Sequence, residues 1–417
     1  MPSEAPATNL AVNGARLWDS LMEMAQIGAT PKGGVKRLTL TDLDLESRTL
    51  FQSWCDDAGL TTEIDQMGSM FARRSGADDS LPPVMIGSHL DTQPTGGKFD
   101  GALGVLAALE LVRTLNDLDI TTRHPIEIVN WTNEEGSRFA PAMVASGVFS
   151  GNFSLDYARA RTDADGVTLG EELDRHNLVG ARPAAPRPVH AFFEVHIEQG
   201  PILEEEGCDI GVVTHANGQR WYEMTFEGVE SHAGPTPMDR RKDALLGAAR
   251  FVDAVNRIGF AHQPNACATC GMIDVYPGSR NVIPGRAWVT VDLRHSDAEQ
   301  LDAMAAAAEK VARDIAEDIG LTVGIEPIFS FPVTTFDAKC VDAVRSAASS
   351  LGLSHRDIVS GAGHDAVYMA QLAPTAMVFT PCIGGISHNE SEDMTSEWAT
   401  AGANVLLRAA VEVAGIA

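Results

Sequence analysis

From about residue 10 to 213, short apolar runs alternate with stretches whose apolar residues recur every three or four positions, the pattern of an α/β layer architecture. ARLWDSLMEMAQIG predicts a helix, and TLTDLDLESRTLFQSWCDDAGL predicts a second, with Thr41 or Asp42 as its N-cap and Gly59 as its stop. The run PPVMIGSHLD is short, apolar and closed by polar residues, so it predicts a buried strand that delivers His89 to its C-terminal end. DGALGVLAALELVRTL predicts a helix with Asp100 at its start, and PIEIVNWTN the next buried strand, together a βαβ unit.

Beyond residue 213 the order changes. QRWYEMTFEG, ACATCGMIDVYPG, RAWVTVDLRH and LTVGIEPIF predict four strands, and DALLGAARFVDAVNRIG and DAEQLDAMAAAAEKVARDIAEDIG two helices, in the order βαββαβ. After about residue 330 the α/β style resumes with VDAVRSAASSLG as a helix and APTAMVFTPCIGG as a buried strand. The expected fold is therefore α/β, a large domain of residues 1–213 and 331–417 with a four-stranded ferredoxin-like domain, 214–330, inserted into it.

The chain has 417 residues and 44% hydrophobic content, ample for two cores. Its 57 acidic against 31 basic residues give a formal charge of -26, which repels phosphate backbones and anionic membrane surfaces; neither nucleic acid nor membrane is an expected partner. MPSEAPATNL lacks the basic and apolar regions of an export signal, and no run approaches the roughly 20 apolar residues of a membrane span, so the expected location is cytoplasmic. Six cysteines in so long a chain do not form a disulfide framework, and the lone Cys267-x-x-Cys270 lacks the second ligand pair that zinc requires.

Groups able to bind metal gather at the predicted strand ends. In GSHLDTQPTGGKFDG, His89 and Asp91 are two apart, a spacing at which one side chain ligates and the other orients it through the second imidazole nitrogen. Asp100 follows a Gly96-Gly97 turn. Taken alone it reads as a helix cap, just as a lone histidine reads as a packed core residue. Glu134 and Glu135 end the PIEIVNW strand side by side, a costly pair without a cation; with one, a carboxylate ligates while the other stays free as a base. His196 lies in FFEVHIEQGP, and His388 follows APTAMVFTPCIGGIS. Three imidazoles and two carboxylates at strand ends are the inventory of a binuclear zinc site with a bridging carboxylate and an open position for water. HExxH, GxSxG and Walker A sequences are absent. SGAGHDA has a GxGxxA pattern, but it lacks a preceding strand in a complete βαβ unit and the acidic residue of a dinucleotide site.

The segments GSHLDTQPTGGKFDG, NEEGSRF, FFEVHIEQGPILE, ESHAGPTPMDRRKDAL and ISHNESED together resemble the M20-type binuclear metalloamidases, in the branch that holds N-carbamoyl-L-amino-acid hydrolase, β-ureidopropionase and allantoate amidohydrolase. The resemblance runs over nearly the whole chain. It implies that one metal takes His89 and His196, the other Glu135 and His388, that Asp100 bridges them, and that Glu134 is the base. The cofactor it implies is two divalent ions per subunit, zinc or else manganese, cobalt or nickel. Gln199, His232, Asn281 and Arg294 occupy positions that hold substrate in such proteins, and Gly363 offers backbone contacts in the active-site wall beside His364 and Asp365. Peptidases of the wider group usually carry a carboxylate where this chain has His196, so that histidine argues for the carbamoyl-cleaving branch.

Chemistry supports two of these roles independently. A site whose carboxylates are balanced by cations needs a separate cation for a substrate carboxylate, and Arg294 shares a strand face with Trp288, Thr290 and Asp292 from which to supply it; the bland alternative is a surface salt bridge to Asp292. His232, before a glycine and proline turn, suits a donor to an oxyanion. The implied partner is a small ureido acid bearing a carboxylate, and the inserted domain is expected to serve as lid and as the interface of a homodimer. The expected reaction is hydrolysis of N-carbamoyl-L-amino acids, with N-carbamoyl-β-alanine in range, to amino acid, carbon dioxide and ammonia by metal-activated water. Allantoate hydrolysis, an aminoacylase or peptidase activity, and a metal-binding scaffold without catalysis are the rivals.

Overall fold

The computed structural model describes residues 10–417. The expectation that the chain's start carries no export signal falls largely on residues 1–9, outside the described part. Among the described residues no helix is long and apolar enough to cross a membrane. The chain forms two compact units, one of Met1–Thr214, Thr335–Ile358 and Gly363–Ala417, the other of His215–Thr334 and Val359–Ala362.

A nine-stranded mixed sheet organises the larger unit. At its centre four parallel neighbours run in the order Ile126–Trp131, Val84–His89, Ala191–Ile197 and Thr375–Thr380. Every residue of these four strands is buried, which explains why they read as continuous apolar runs rather than as alternation. Helices Gly14–Met24, Ala102–Asp117, Ala338–Ser350 and Ser396–Ala414 pack together beside the sheet. Approach of Ala102–Asp117 to the strands requires Gly104, where a Cβ would stand 2.6 Å from the Ser88 Cβ and 2.8 Å from the Val195 carbonyl oxygen.

Three local features add to the sequence reading. The second predicted helix spans Asp42–Asp57 with Thr41 as N-cap, as expected; the Thr41 hydroxyl donates back to the Leu38 carbonyl and accepts no helix amide. Between that helix and the His89 strand lies an antiparallel pair, Thr61–Ile64 with Met70–Arg74, which alternation alone did not reveal because Met70, Phe71 and Ala72 are all buried. A strand does precede SGAGHDA, His355–Ser360, but only the five-residue helix Asp365–Met369 follows it.

In the smaller unit an antiparallel sheet takes the order Ile273–Tyr276, Arg286–His295, Gly218–Glu227, Thr322–Phe331. Helices Ala244–Ala261 and Ala298–Ile319 share a core with it, built on Met224, Phe226, Phe251, Val289, Leu293 and Met304. Along Arg286–His295, Ala287, Val289, Val291, Leu293 and His295 are buried while the residues between them are not, the period-two signature of a sheet covered on one face. The sheet has five strands instead of the expected four. ACATCGMIDVYPG divides into Cys267–Thr269 and Ile273–Tyr276, which share one edge of Arg286–His295. The break falls at Cys270-Gly271, and the ladder resumes through Met272, whose amide donates to the Thr290 hydroxyl at 3.0 Å.

Candidate metal centre

Four parallel strands place their C-terminal ends on one edge of the sheet, and each releases a segment carrying acid or imidazole groups. His89 is the last residue of its strand, His196 the penultimate residue of the next, Glu134 and Glu135 follow Trp131, and His388 follows Thr380 after a glycine turn. Ligands gather at such an edge because no side of the sheet closes over it. Asn133, Gln199 and His388 all take left-handed φ, of 60°, 58° and 53°. Backbone held in that region by non-glycine residues costs of order 1–3 kcal/mol each, and it concentrates where loops must aim side chains.

Asp100 is the centre of the arrangement. Its Oδ1 lies 3.2 Å from His196 Nε2 and 3.5 Å from His89 Nε2, and its Oδ2 lies 3.5 Å from His388 Nε2. His388 Nε2 is also 3.5 Å from Glu135 Oε2. Two triads result, His89-Asp100-His196 and Asp100-Glu135-His388, each with donor atoms within 4.8 Å of one another. Asp100 is no helix cap. The N-cap of Ala102–Asp117 is Gly101, with no side-chain cap, which frees the carboxylate for the imidazoles.

Several contacts hold these groups in place. His89 Nδ1 bonds the Asp91 carbonyl oxygen at 2.8 Å, so its orientation is set by backbone; the Asp91 carboxylate stands 3.9 Å away. That carboxylate instead accepts the amides of Glu134 and Glu135 at 3.2 and 3.3 Å, fixing the acidic turn. His196 Nδ1 bonds the Ile197 carbonyl oxygen. Glu135 accepts from the Gln93 amide and from Gln93 Nε2, at 3.0 and 2.6 Å. Gly101, with φ +66°, lies under the His89 ring: a Cβ there would fall 2.4 Å from Cε1 and 2.5 Å from both ring nitrogens. Gly101→Ala is therefore expected to displace the imidazole, weaken metal uptake and cost about 1–3 kcal/mol of stability. Metal titration and thermal melting check this, and an unaltered metal affinity would show that the ring has room to move.

Electrostatics make the cluster expensive for protein alone. Burial, joined by repulsion from Asp365, Glu135 and Asp91, pushes the Glu134 carboxyl well above the usual range against the pull of His89. Burial and the charge of Asp100 raise Glu135 to about 8, and burial raises Asp91 to about 6. Burial likewise opposes ionisation of Asp100, but His196 and His89 outweigh it and hold Asp100 well below its ordinary value. Burial depresses His89 too, and Glu134, Asp100 and Asp91 overcome it. Such a set requires either shared protons or a cation.

The donors suit metal ions. Nitrogen and oxygen ligands at about 2.0–2.1 Å around a tetrahedral centre stand about 3.3 Å apart, the spacing seen between Asp100 Oδ1 and the two imidazoles. Buried His/Asp/Glu clusters of this kind fit an M20-type metal site. The model of peptidase family M20/M25/M40 matches residues 85–412. The chain belongs to the M20/M25/M40 peptidase family. Two relatives narrow its place there. It is 55% identical over 412 residues to the N-carbamoyl-L-amino-acid amidohydrolase of Rhizobium meliloti, covering 99% of each chain. It is 35% identical over 376 residues to the allantoate amidohydrolase of Bacillus subtilis, covering 90% of this chain and 91% of that one. The crystal structure of an amidase of the hydantoinase/carbamoylase family from Burkholderia multivorans matches with a TM-score of 0.92 and 61% identity, covering 97% of this chain and 98% of that one. The resemblance read from the five motifs is thus to the right branch of the M20/M25/M40 family.

The residues expected to hold substrate are distributed over both units. In the larger, Gln199 Nε2 donates to Asp100 Oδ2 at 2.7 Å and lies 3.4 Å from His388 Nε2, so it stands against the second triad. Gly363 faces Met143, whose Cε a Cβ would meet at 2.8 Å. In the smaller unit, strands Ser231–His232 and Val282–Ile283 pair, and the Ala233 amide donates to the Asn281 carbonyl, which brings His232 and Asn281 together. Arg294 lies on the sheet, where Asp292 accepts from its Nε and Nη2 and Gly361 from its Nη1. The salt bridge to Asp292 thus forms.

Sequence reading missed Gln93, Ser387 and Glu392, which hold the metal-capable groups, and Glu194, which accepts from the Ser88 hydroxyl at 2.6 Å and the Ala366 amide at 3.1 Å. Glu194 shares a strand face with His196, and a third cluster of Glu194, His196 and His364 results. Glu198, just past the strand, accepts from the Ile202 and Leu203 amides at the start of the next helix. A charged residue inside a fully buried strand was the signal available for Glu194.

Proposed function

We propose that this protein hydrolyses N-carbamoyl-L-amino acids to the free amino acid, carbon dioxide and ammonia. The observation that carries the reading is the pair of triads sharing Asp100, with Glu134 beside them and outside both, in a chain 55% identical over its length to an N-carbamoyl-L-amino-acid amidohydrolase. His89, Asp100 and His196 would hold one divalent cation, and Asp100, Glu135 and His388 a second. Bound there, the cations supply Lewis-acid activation of water and of the ureido carbonyl.

Every other task falls to side chains. Glu134 takes a proton from the attacking water and later delivers it to the leaving nitrogen. The tetrahedral oxyanion needs a donor, and His232 is suited to be one: its Nδ1 accepts the Gly234 amide at 3.1 Å, so in the neutral ring the proton sits on Nε2. Collapse breaks the bond between the carbonyl carbon and the amino acid nitrogen, and the carbamic acid left behind splits into carbon dioxide and ammonia. Gln199, Asn281 and Gly363 orient the ureido acid. Arg294 supplies the cation that binds the substrate carboxylate. In this reading the smaller unit acts as lid and as the interface of a homodimer.

The test is ammonia release from N-carbamoyl-L-amino acids, N-carbamoyl-D-amino acids, N-carbamoyl-β-alanine and allantoate, with and without added divalent metal. Metal-dependent release led by the L-carbamoyl compounds supports the proposal. Release led by allantoate would move the chain to the other activity, and none from any substrate at full metal loading would make it a scaffold. Arg294→Ala is expected to raise KM for carboxylate substrates by about 10- to 100-fold, the loss of one charge-assisted bidentate contact of about 1.5–3 kcal/mol. An unchanged KM would assign the carboxylate to another cation.

A further inference from the structure

Glu392 belongs to neither triad, and it is buried to 1% exposure. Its Oε1 accepts the amides of both Phe99 and Asp100 at 3.1 Å. Its Oε2 lies 2.9 Å from the Ser387 hydroxyl, which is itself 2.9 Å from Asp100 Oδ2. One carboxylate therefore grips the backbone of the aspartate that both triads share and, through a single hydroxyl, its second oxygen. Glu392 also belongs to the segment that carries His388. Gly97 completes the fit, because a Cβ there would stand 2.0 Å from the Glu392 Cδ, so the chain leading to Asp100 can pass only as glycine.

From this geometry we infer that Glu392 is a positioning residue that couples the Asp100 loop to the His388 loop and so assembles the second cation position selectively. The inference rests on the two-cation reading. Selectivity follows from which oxygen each contact touches. On the Oδ1 side, Asp100 meets His89 and His196, both fixed on strands and bonded through Nδ1 to backbone carbonyls. On the Oδ2 side it meets Gln199 together with Ser387 and His388, and the last two leave the sheet by a long turn and are tied back through Glu392. His388 is half exposed, so packing alone does not place it.

Wild type, Glu392→Ala and Glu392→Gln are stripped with chelator and titrated with Zn²⁺ or Mn²⁺ alone; bound metal is counted after dialysis, with thermal melts in parallel. Wild type should take up two equivalents. Glu392→Ala should keep the first and bind the second about 10- to 100-fold more weakly, the usual effect of removing an outer hydrogen-bond partner of a ligand. Glu392→Gln should restore the second equivalent, since its carbonyl oxygen accepts both amides and its NH₂ donates to Ser387. A residue that only stabilised the fold would shift both equivalents with the melting temperature and would show no such split. The inference is overturned if Glu392→Ala binds both equivalents as wild type does, if it loses both together, or if Glu392→Gln is as weak as Glu392→Ala. Should wild type itself bind a single equivalent, the two-cation reading fails and the inference with it. If Glu392→Ala does not fold, Ser387→Ala should show the same split in milder form, and wild-type binding of the second equivalent in that variant would overturn the inference.

Discussion

Glu134→Gln should load metal as wild type does and lose turnover by about 10²- to 10⁴-fold, the range expected when a positioned general base is removed. The glutamate belongs to neither triad, and its Oε2 lies 3.4 Å from His89 Nε2, close enough to serve a water held between the ligands. Its backbone amide is anchored on Asp91 and its side chain is buried, so glutamine, of the same shape, should occupy the same place. Without a cation, burial and the surrounding carboxylates favour the protonated form; dications in the two triads would oppose that and leave the carboxylate ionised to accept a proton. The check is kcat by ammonia release alongside metal content. Turnover within tenfold of wild type at full loading would remove Glu134 from the role of base.

Asp100→Asn should have the widest effect of any single change, because both triads use this residue. An amide keeps the volume but takes away the negative charge that His89, His196 and His388 all face, at 3.2–3.5 Å. Both equivalents of metal should then be lost, and turnover with them, whereas His388→Ala should lose only one. Metal counting distinguishes the two variants. An Asp100→Asn protein that retained one tight equivalent would show that the carboxylate serves a single position. The contrast is informative since the triads share no other residue.

How much of this was legible beforehand differs from element to element. The strands ending in His89, Trp131 and Ile197 were readable because strands buried on both faces must be apolar throughout. The sheet of the smaller unit was readable because alternation marks one covered face, yet its split edge strand was not. Cys270-Gly271 looks the same in sequence whether or not the ladder continues through it. The pair Thr61–Ile64 and Met70–Arg74 escaped for the opposite reason, as its second strand starts with three buried residues and shows no period.

Among the metal-capable groups, the residues able to ligate were visible as residue types recurring at strand ends. Their supports were not. Asp91 is adjacent enough to His89 to suggest a carboxylate contact, but the turn directs its backbone carbonyl to the ring and its side chain to the amides of Glu134 and Glu135. Glu392 is 292 residues from Asp100 in the chain, and no local spacing links them. Arg294 and Asp292 show the same limit, since their shared face was clear and their pairing was an open choice until the guanidinium was seen against the carboxylate.

The sequence by itself determined the kinds of element, their order and the inventory of donors, because hydrophobic period and residue chemistry are properties of short stretches of chain. Only the tertiary structure decided that Asp100 divides its two oxygens between two clusters, that Gly101 must be bare beneath an imidazole, and that Glu392 joins two loops. Those facts depend on which strand ends lie side by side and on the close fit of side chains there, and both arise from packing between segments that lie from about a dozen to 292 residues apart.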